Sequence, residues 1–244
     1  MKKCRDAYGQ EVLAYHEGKE SYEIVERDDG YIALSSGSPE YFAPFKRWPA
    51  CQKKAVVFVK GRVLDVGAGA GRVSLYIQRR HDVTAIDNSP LAIKVCKARG
   101  VKKAMVRPIE DIGKFRQDSF DTIVMFGNNF GLFGSYRKAK RLLRTMRRIT
   151  SDDALIIAES NDPYKTANPI HLAYQARNRR RGRMSGQLRL RIRYEMCTGD
   201  WFDYLIVSRK EMKDILAGTG WKVRRFIDSG KSMYTAIIEK TKSF

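Results

Sequence analysis

The chain has 244 residues and carries 47 Lys and Arg against 27 Asp and Glu, a formal net charge of +20. With 43% hydrophobic residues it can bury one sizeable core, which argues against a disordered chain. Apolar runs last only a few residues, far fewer than the roughly 20 of a membrane helix, so no membrane partner is expected. Four cysteines without metal-ligand spacing favour a reducing, cytoplasmic setting and no metal site: Cys4, Cys51, Cys96 and Cys197.

The first sixty residues are predicted to form an N-terminal cap. Apolar periodicity indicates a helix over residues 6–18, and two short strands around an Asp-Gly turn indicate a hairpin over 22–34. An aromatic stretch follows, in which Tyr41 and Trp48 could form the wall of an acceptor pocket or pack in a core. A proline then opens a helix over 49–59.

From residue 61 onward, short apolar strands alternate with helices. This alternation predicts an α/β fold with a mostly parallel sheet covered on both faces. Residues 61–244 would form this core, with a small β insertion at about 163–207. Strands are expected at 62–66, 83–86, 104–106, 122–126, 154–158, 222–227 and 233–238, and helices at 72–80, 90–99, 136–149 and 208–217.

A glycine-rich turn follows the first strand of this core. The segment Asp65-Val66-Gly67-Ala68-Gly69-Ala70-Gly71 ends where a helix is predicted to begin. Alternate glycines let the backbone approach a ligand closely, and the helix start directs free N–H groups toward it. Asp87 ends the next strand, where a carboxylate can accept both hydroxyls of a ribose. The Gly-x-Gly-x-x-Gly spacing of dehydrogenases is not met, because Arg72 stands where the last glycine is needed.

The Asp-x-Gly-x-Gly-x-Gly spacing resembles motif I of the class I S-adenosylmethionine-dependent methyltransferases, and the order of elements over roughly residues 40–240 is similar to that family. The resemblance implies a Rossmann-like, doubly wound, seven-stranded, mostly parallel sheet with an antiparallel last strand, and S-adenosylmethionine as cofactor. By this similarity the glycine loop holds the methionine part of the cofactor and Asp87 its ribose. The adenine-binding Asp common in the family has Pro108 at about its position, so Glu110 or backbone amides must serve instead. The cofactor-binding residues so implied are Asp65, Gly67, Ala68, Gly69, Gly71, Asp87, Asn88, Ile109, Glu110, Phe126 and Gly127.

The loop after the fourth strand of the core contains two asparagines. Asn128 and Asn129 would face the ligand crevice at the carboxyl edge of the sheet and are the candidate catalytic residues, although each could be only a turn residue. The loop does not match the Pro-Pro motif of enzymes that methylate amino groups of bases. It also has no cysteine nucleophile for carbon-5 methylation.

Two clusters dominate the excess of positive charge. Over Arg137–Arg148, seven basic residues cover one helix opposite an apolar face, as expected of a solvated surface. Over Arg177–Arg193 there are eight arginines and no acid. Its strand Gln187–Tyr194 alternates strictly and aligns three guanidinium groups, which suit an oxyanion or only a solvent-facing strand: Arg189, Arg191 and Arg193.

Two functions follow for a methyltransferase of this kind. The favoured one is methyl transfer by in-line displacement to an anionic small molecule, with the acceptor atom, O or N, left open. The alternative is an RNA methyltransferase that uses the Arg177–Arg193 region, since the pI is about 9.9, although no RNA-recognition motif is present. A non-catalytic cofactor-binding regulator has no positive sequence feature in its favour.

Overall fold

The structure is a computed structural model that describes residues 6–35 and 37–241. Within this part the helices are α1 (Ala7–His16), α2 (Ser38–Tyr41), α3 (Ala50–Ala55), α4 (Arg72–Ile77), α5 (Pro90–Ala98), α6 (Tyr136–Ile149), α7 (Pro169–Arg180) and α8 (Arg209–Leu216). The strands are β1 (Ile24–Arg27), β2 (Ile32–Leu34), β3 (Arg62–Val66), β4 (Asp82–Asp87), β5 (Ala104–Val106), β6 (Phe120–Met125), β7 (Thr150–Asn161), β8 (Gln187–Tyr194), β9 (Cys197–Thr198), β10 (Phe202–Leu205), β11 (Trp221–Asp228) and β12 (Met233–Lys240). Short 3-10 turns lie at Phe45–Arg47, Val56–Phe58, Ile109–Lys114 and Asn129–Phe133.

Seven strands form the larger sheet in the order β11-β12-β7-β6-β3-β4-β5. The pairs β4–β5 and β6–β7 are parallel, whereas β12 runs antiparallel to both of its neighbours, β7 and β11. This topology confirms the predicted α/β, Rossmann-like fold with an antiparallel last strand. Each predicted strand and helix of the core is found, with bounds that differ by a few residues. The largest difference is in β7, which was predicted over 154–158 and spans Thr150–Asn161.

The chain is divided into two compact units, which we describe separately. Unit 1 comprises Met1–Trp48, Asp65–Ile109 and Arg189–Phe202; unit 2 comprises Pro49–Leu64, Glu110–Leu188 and Asp203–Phe244. This division differs from the predicted division into a cap, a core and an insertion. The predicted division stays a prediction. Cys4, one of the four cysteines considered above, lies outside the described residues.

In unit 1 the predicted hairpin of the cap joins the arginine strand. β1 pairs with β2 around the Asp-Gly turn, as expected. Its other edge pairs with β8, with Ile24 opposite Arg193 and Glu26 opposite Arg191. Both strands were predicted from the sequence, but their pairing was not, because β1 and β8 are separated by about 160 residues and strand periodicity carries no information about the partner.

Helix α1 packs on helix α5 in unit 1. Val12 of α1 is buried with Ala92 and Val95 of α5, and Tyr8 and Leu13 pack against the same cluster. Asp6 caps the helix, because its Oδ1 accepts the Gly9 N–H at 2.9 Å. The N-terminal helix is therefore held by its apolar face and begins beside the start of α5.

Helix α6 in unit 2 buries the apolar face that its periodicity predicts: Ala139, Leu142, Leu143, Met146 and Ile149. Its basic residues do more than face solvent. The Arg147 guanidinium donates to the Gly220 carbonyl at 2.8 Å, and that of Arg148 donates to the Gly113 carbonyl at 2.6 Å. Part of the positive charge of this cluster thus satisfies loop carbonyls.

Truncation of Leu143 tests the packing of unit 2. The side chain is fully buried, and its carbonyl accepts the indole N–H of Trp221 at 2.9 Å. We expect Leu143→Ala to lower the free energy of unfolding by about 2–5 kcal/mol, because a cavity adds to the lost transfer energy. Urea unfolding measures this loss. Thr145→Ala, on the exposed side of the same helix, is the control and should change stability by less than about 0.5 kcal/mol.

Candidate functional site

The glycine-rich turn connects β3 to α4 in unit 1. Gly67, Gly69 and Gly71 all have positive φ, at 73°, 54° and 78°, a conformation that other residues rarely adopt. The N–H groups of Gly67 and Ala68 donate to the Ile86 carbonyl at 2.9 and 3.0 Å, which ties the turn to β4. A Cβ on Gly71 would lie 2.8 Å from the Cys96 sulfur, so the turn also approaches α5 too closely for a side chain.

Asp87 fixes the tip of this turn. One carboxylate oxygen accepts the Gly69 N–H at 2.9 Å and the other accepts the Ser89 N–H at 3.0 Å. The side chain is 7% exposed, and burial raises its pKa. Each oxygen retains capacity for a further donor, which is what two ribose hydroxyls require. Asn88, beside it, is exposed.

Asp65 lies beneath the turn rather than at its surface. It is 2% exposed, and its Oδ2 accepts the Ser74 hydroxyl of α4 at 2.6 Å. Burial raises its pKa from 3.8 to about 6. The strand-turn-helix unit is thus closed by a hydrogen bond from its last element to its first.

Asp6 and Tyr8, at the start of α1, reach the same region and were not predicted from the sequence. The Oδ2 of Asp6 accepts the Ser89 hydroxyl at 2.8 Å and the Leu91 N–H at 3.2 Å. The Tyr8 hydroxyl comes so near the turn that a Cβ on Gly69 would lie 2.6 Å from it. Burial, and next the charge of Asp87, raise the pKa of Tyr8 well above its usual value. No local sequence pattern signals these contacts, since they join segments about 60 to 85 residues apart.

The predicted acceptor-binding arginines lie on β8 in unit 1 and already have partners there. Arg191 forms two hydrogen bonds with Glu26, at 2.8 and 2.7 Å, and its guanidinium lies 4.5 Å from the centre of the Trp201 ring. Arg193 also forms an ion pair with Glu26, at 2.6 Å. Arg189 is half-buried, and its carbonyl accepts the Asp28 N–H at 3.0 Å. One carboxylate therefore orients two of the three guanidinium groups.

The two aromatic candidates of the cap have different surroundings in unit 1. Trp48 is 3% exposed, its indole N–H donates to the Ala43 carbonyl at 3.1 Å, and the Arg72 guanidinium lies 4.8 Å from its ring centre. Tyr41 is half-buried and its hydroxyl donates to Glu23 at 3.2 Å. These contacts give Trp48 a packing role, and a role in acceptor binding stays a prediction for both.

The asparagine loop belongs to unit 2 and follows β6. Phe126 is buried, Gly127 is exposed, and Asn129 is half-buried at the start of a 3-10 turn. Asn128 has a φ of 64°, and both of its backbone groups are bound: the N–H donates to Glu159 at 2.7 Å and the carbonyl accepts the Tyr204 hydroxyl at 2.6 Å. The loop is therefore held in one conformation.

The candidate adenine-binding residues lie on either side of the division between the units. Ile109 ends the second segment of unit 1 and is 8% exposed. Glu110, which begins a segment of unit 2, forms an ion pair with Lys138 of α6. A bound Glu110 carboxylate is a poorer acceptor for a ligand, so backbone amides are the better of the two alternatives.

Comparisons with known proteins identify this arrangement. A family model described as a methyltransferase domain matches residues 63–153. A crystal structure of a SAM-dependent methyltransferase from Bacteroides fragilis, in complex with S-adenosyl-L-homocysteine, is 27% identical with a TM-score of 0.82 and covers 98% of this chain and 96% of that chain. The protein carries this methyltransferase domain and is an S-adenosylmethionine-dependent methyltransferase. S-adenosylmethionine is the cofactor of this enzyme.

Further structures share the fold of this methyltransferase. The CcbJ methyltransferase from Streptomyces caelestis is 11% identical, with a TM-score of 0.62 and coverage of 97% of this chain and 99% of that chain. A 1,6-didemethyltoxoflavin-N1-methyltransferase from Burkholderia thailandensis is 15% identical, with a TM-score of 0.52 and coverage of 80% of each chain. No curated protein sequence matches this methyltransferase significantly.

Across residues 6–35 and 37–241, no group of His, Cys, Asp and Glu side chains is arranged to hold a metal ion. None of the helices in this described part has the length and apolar character that crossing a membrane requires.

The raised pKa of Asp65 predicts a pH dependence of stability. Because its pKa is 3.8 in an unfolded chain and about 6 when folded, the native state binds the extra proton between these values. Asp65 should therefore destabilise the protein above pH 6, and this penalty, at most about 3 kcal/mol, should disappear as the pH falls toward 4. Urea unfolding of the cofactor-free enzyme at both pH values should show the change in wild type and not in Asp65→Asn. Asp82→Asn, at the exposed start of β4, should keep the wild-type pH dependence.

Proposed function

We propose that this methyltransferase transfers a methyl group to a small-molecule acceptor that carries an anionic group. The observation that carries the proposal is the arginine row of β8, in which two guanidinium groups, those of Arg191 and Arg193, share the single carboxylate of Glu26 and so keep an excess of positive charge. Glu26 and Trp201 hold Arg191 in a fixed orientation, which lowers the entropy cost of binding a carboxylate or phosphate in two hydrogen bonds.

The glycine turn and Asp87 fit the cofactor. Three positive-φ glycines leave a backbone cradle that side chains would fill, and Asp87 presents a carboxylate with both oxygens held in place. We assign the methionine part to the cradle and the ribose to Asp87, with Asn88 at its edge. Ile109 and Glu110 are assigned to the adenine, with backbone amides preferred to the Glu110 carboxylate, and Phe126 and Gly127 are assigned to the cofactor without a specified part. When bound, S-adenosylmethionine supplies an electrophilic methyl group on a sulfonium.

The chain contributes alignment rather than a strong base. In-line displacement needs the acceptor atom, the methyl carbon and the sulfur in one line, and most of the rate gain comes from holding them so and excluding water. Asn128 and Asn129 are our candidates for orienting the acceptor. Asn128 is the better supported of the two, because Glu159 and Tyr204 immobilise its backbone and so fix where its side chain begins.

RNA is the alternative acceptor. Arg179, Arg180 and Arg181 are exposed at the end of α7, and such a cluster can bind a phosphate backbone. The sequence has no RNA-recognition motif beside this cluster, however, whereas Glu26 and Trp201 orient Arg191 in a way that suits a single anionic group. We therefore favour the small molecule.

Removal of the Asp87 carboxylate tests the cofactor assignment. We expect Asp87→Ala to weaken binding of S-adenosylmethionine at least about tenfold, because a buried ribose loses its acceptor and the Gly69 N–H loses its partner. Calorimetric titration measures the affinity, and circular dichroism checks the fold. Asp82→Ala, on the same strand but paired on the surface with Lys103, should bind as wild type does. Unchanged affinity in Asp87→Ala would refute the assignment.

The acceptor class can be tested with S-adenosylmethionine that carries a labelled methyl group. We expect the enzyme to label the small-molecule fraction of a cell extract and not its RNA fraction. Arg191→Ala should lower that labelling at least about tenfold, because the anionic group loses a bidentate partner. Arg80→Ala, an exposed arginine of unit 1, is the control and should label as wild type does. Label in RNA would instead favour the alternative.

A further inference from the structure

The hydroxyl of Tyr8 lies at the tip of the glycine turn in unit 1, and the proposed function does not use it. A Cβ on Gly69 would lie 2.6 Å from the Tyr8 oxygen and 3.9 Å from the ring carbon that carries this oxygen. The hydroxyl rather than the ring therefore meets the turn. It occupies the space in which a side chain at position 69 would begin.

The packing of α1 fixes the direction of this side chain. The half-buried Tyr8 packs against the buried cluster that α1 shares with α5. Its ring meets that of Tyr41 edge to face, with 5.5 Å between the ring centres, and the Tyr41 hydroxyl donates to Glu23 at 3.2 Å. Asp6 holds the start of the helix to Ser89. A side chain held in this way loses little entropy when its hydroxyl binds a ligand.

The Tyr8 hydroxyl can donate a hydrogen bond to a ligand. It has no hydrogen-bond partner among residues 6–35 and 37–241. Burial, and next the charge of Asp87, raise the pKa of Tyr8 well above its usual value, so the phenol carries its proton at neutral pH. Tyrosine hydroxyls removed from water normally find a partner. A bound ligand can supply the acceptor.

The backbone of the glycine turn has few donors left for a ligand. Four of the five N–H groups over residues 67–71 already bind acceptors in unit 1: those of Gly67, Ala68, Gly69 and Gly71. The fifth N–H group belongs to Ala70, which is 1% exposed. A carboxylate that leaves water without donors is strongly disfavoured. An anionic group held against this turn therefore needs a donor from a side chain.

We propose that the Tyr8 hydroxyl donates a hydrogen bond to the carboxylate of the methionine part of S-adenosylmethionine. This part also has an ammonium group, which is suited to the negative charges of Asp87, Glu23 and Glu11 around Tyr8. The carboxylate needs a donor instead, and a hydrogen bond to a charged acceptor is stronger than one between neutral groups. The inference rests on the proposed function, which assigns the methionine part to the turn.

The contact makes the N-terminal helix a part of the cofactor site. Gly69 lies between the two groups that bind the ligand, because its N–H is held by Asp87 and its open side meets the Tyr8 hydroxyl. A side chain at this position would displace that hydroxyl. Asp87 is assigned to the ribose, and Tyr8 makes the affinity depend on the amino-acid end of the cofactor.

Two ligands that differ in this carboxylate test the inference. S-adenosyl-3-thiopropylamine has the adenosine, the sulfur and the ammonium of S-adenosylhomocysteine but no carboxylate. Neither ligand has a methyl group to transfer, so calorimetry measures binding alone. Tyr8→Phe removes the hydroxyl and keeps the ring that packs on Tyr41. Tyr15→Phe is the matched control, because it removes a hydroxyl from the same helix, where the ring packs on Phe42.

We expect Tyr8→Phe to bind S-adenosylhomocysteine at least about tenfold more weakly than wild type does, because a charged acceptor loses its donor. Its affinity for S-adenosyl-3-thiopropylamine should stay within about twofold of wild type. Tyr15→Phe should bind both ligands as wild type does. In wild type labelled with ¹³C at the tyrosine ζ carbons, one signal should shift more with S-adenosylhomocysteine than with S-adenosyl-3-thiopropylamine, and Tyr8→Phe should lack it.

The outcomes separate this inference from the proposed function. If wild type binds neither ligand, the proposed function fails. If wild type binds S-adenosylhomocysteine and Tyr8→Phe binds it equally well, or if the variant loses affinity for both ligands to the same extent, the inference alone is refuted. If Tyr8→Phe does not fold, the labelled wild type decides, and tyrosine signals that respond equally to both ligands refute the inference.

Discussion

The hydrogen bond from the Gly69 N–H to the Asp87 carboxylate is the contact on which unit 1 depends. It joins the tip of the glycine turn to the end of β4, so the turn has one conformation before any ligand arrives. The other oxygen of Asp87 holds the Ser89 N–H at the start of α5, and Asp6 binds the Ser89 hydroxyl. Through one buried carboxylate the turn, a strand and two helices are brought to a common point. Preorganisation of this kind reduces the entropy cost of ordering the protein when a cofactor binds.

Unit 2 uses the same device at a different loop. Glu159, also at the carboxyl end of a parallel strand, accepts the N–H of Asn128 as Asp87 accepts that of Gly69. Both loops contain positive-φ residues, which are costly for Asn128 because it has a side chain. In each case a buried carboxylate offsets the strain of the turn.

The net charge of +20 is distributed over several roles. Basic residues of α6 donate to carbonyl oxygens at the ends of neighbouring loops, and Arg191 and Arg193 share Glu26. The net charge does not distinguish these roles. A guanidinium group that binds a carbonyl oxygen and one that is available to bind an anion each add one positive charge. A ligand can bind only the charge that exceeds that of the local partners, and for Arg191 and Arg193, which share one carboxylate, this excess is positive.

The sequence by itself determined the order of the elements, the glycine turn and the position of Asp87, because these depend on residues within one strand-turn-helix segment. Helix α6 and strand β8 have the bounds that their periodicities predict. Only the tertiary structure decided that β1 pairs with β8, that Asp6 and Tyr8 reach the cofactor turn, and that Gln52, Asn128 and Glu159 meet. These contacts join segments about 30 to 165 residues apart, and a pattern of local hydrophobicity specifies which face of an element is buried but not which element covers it.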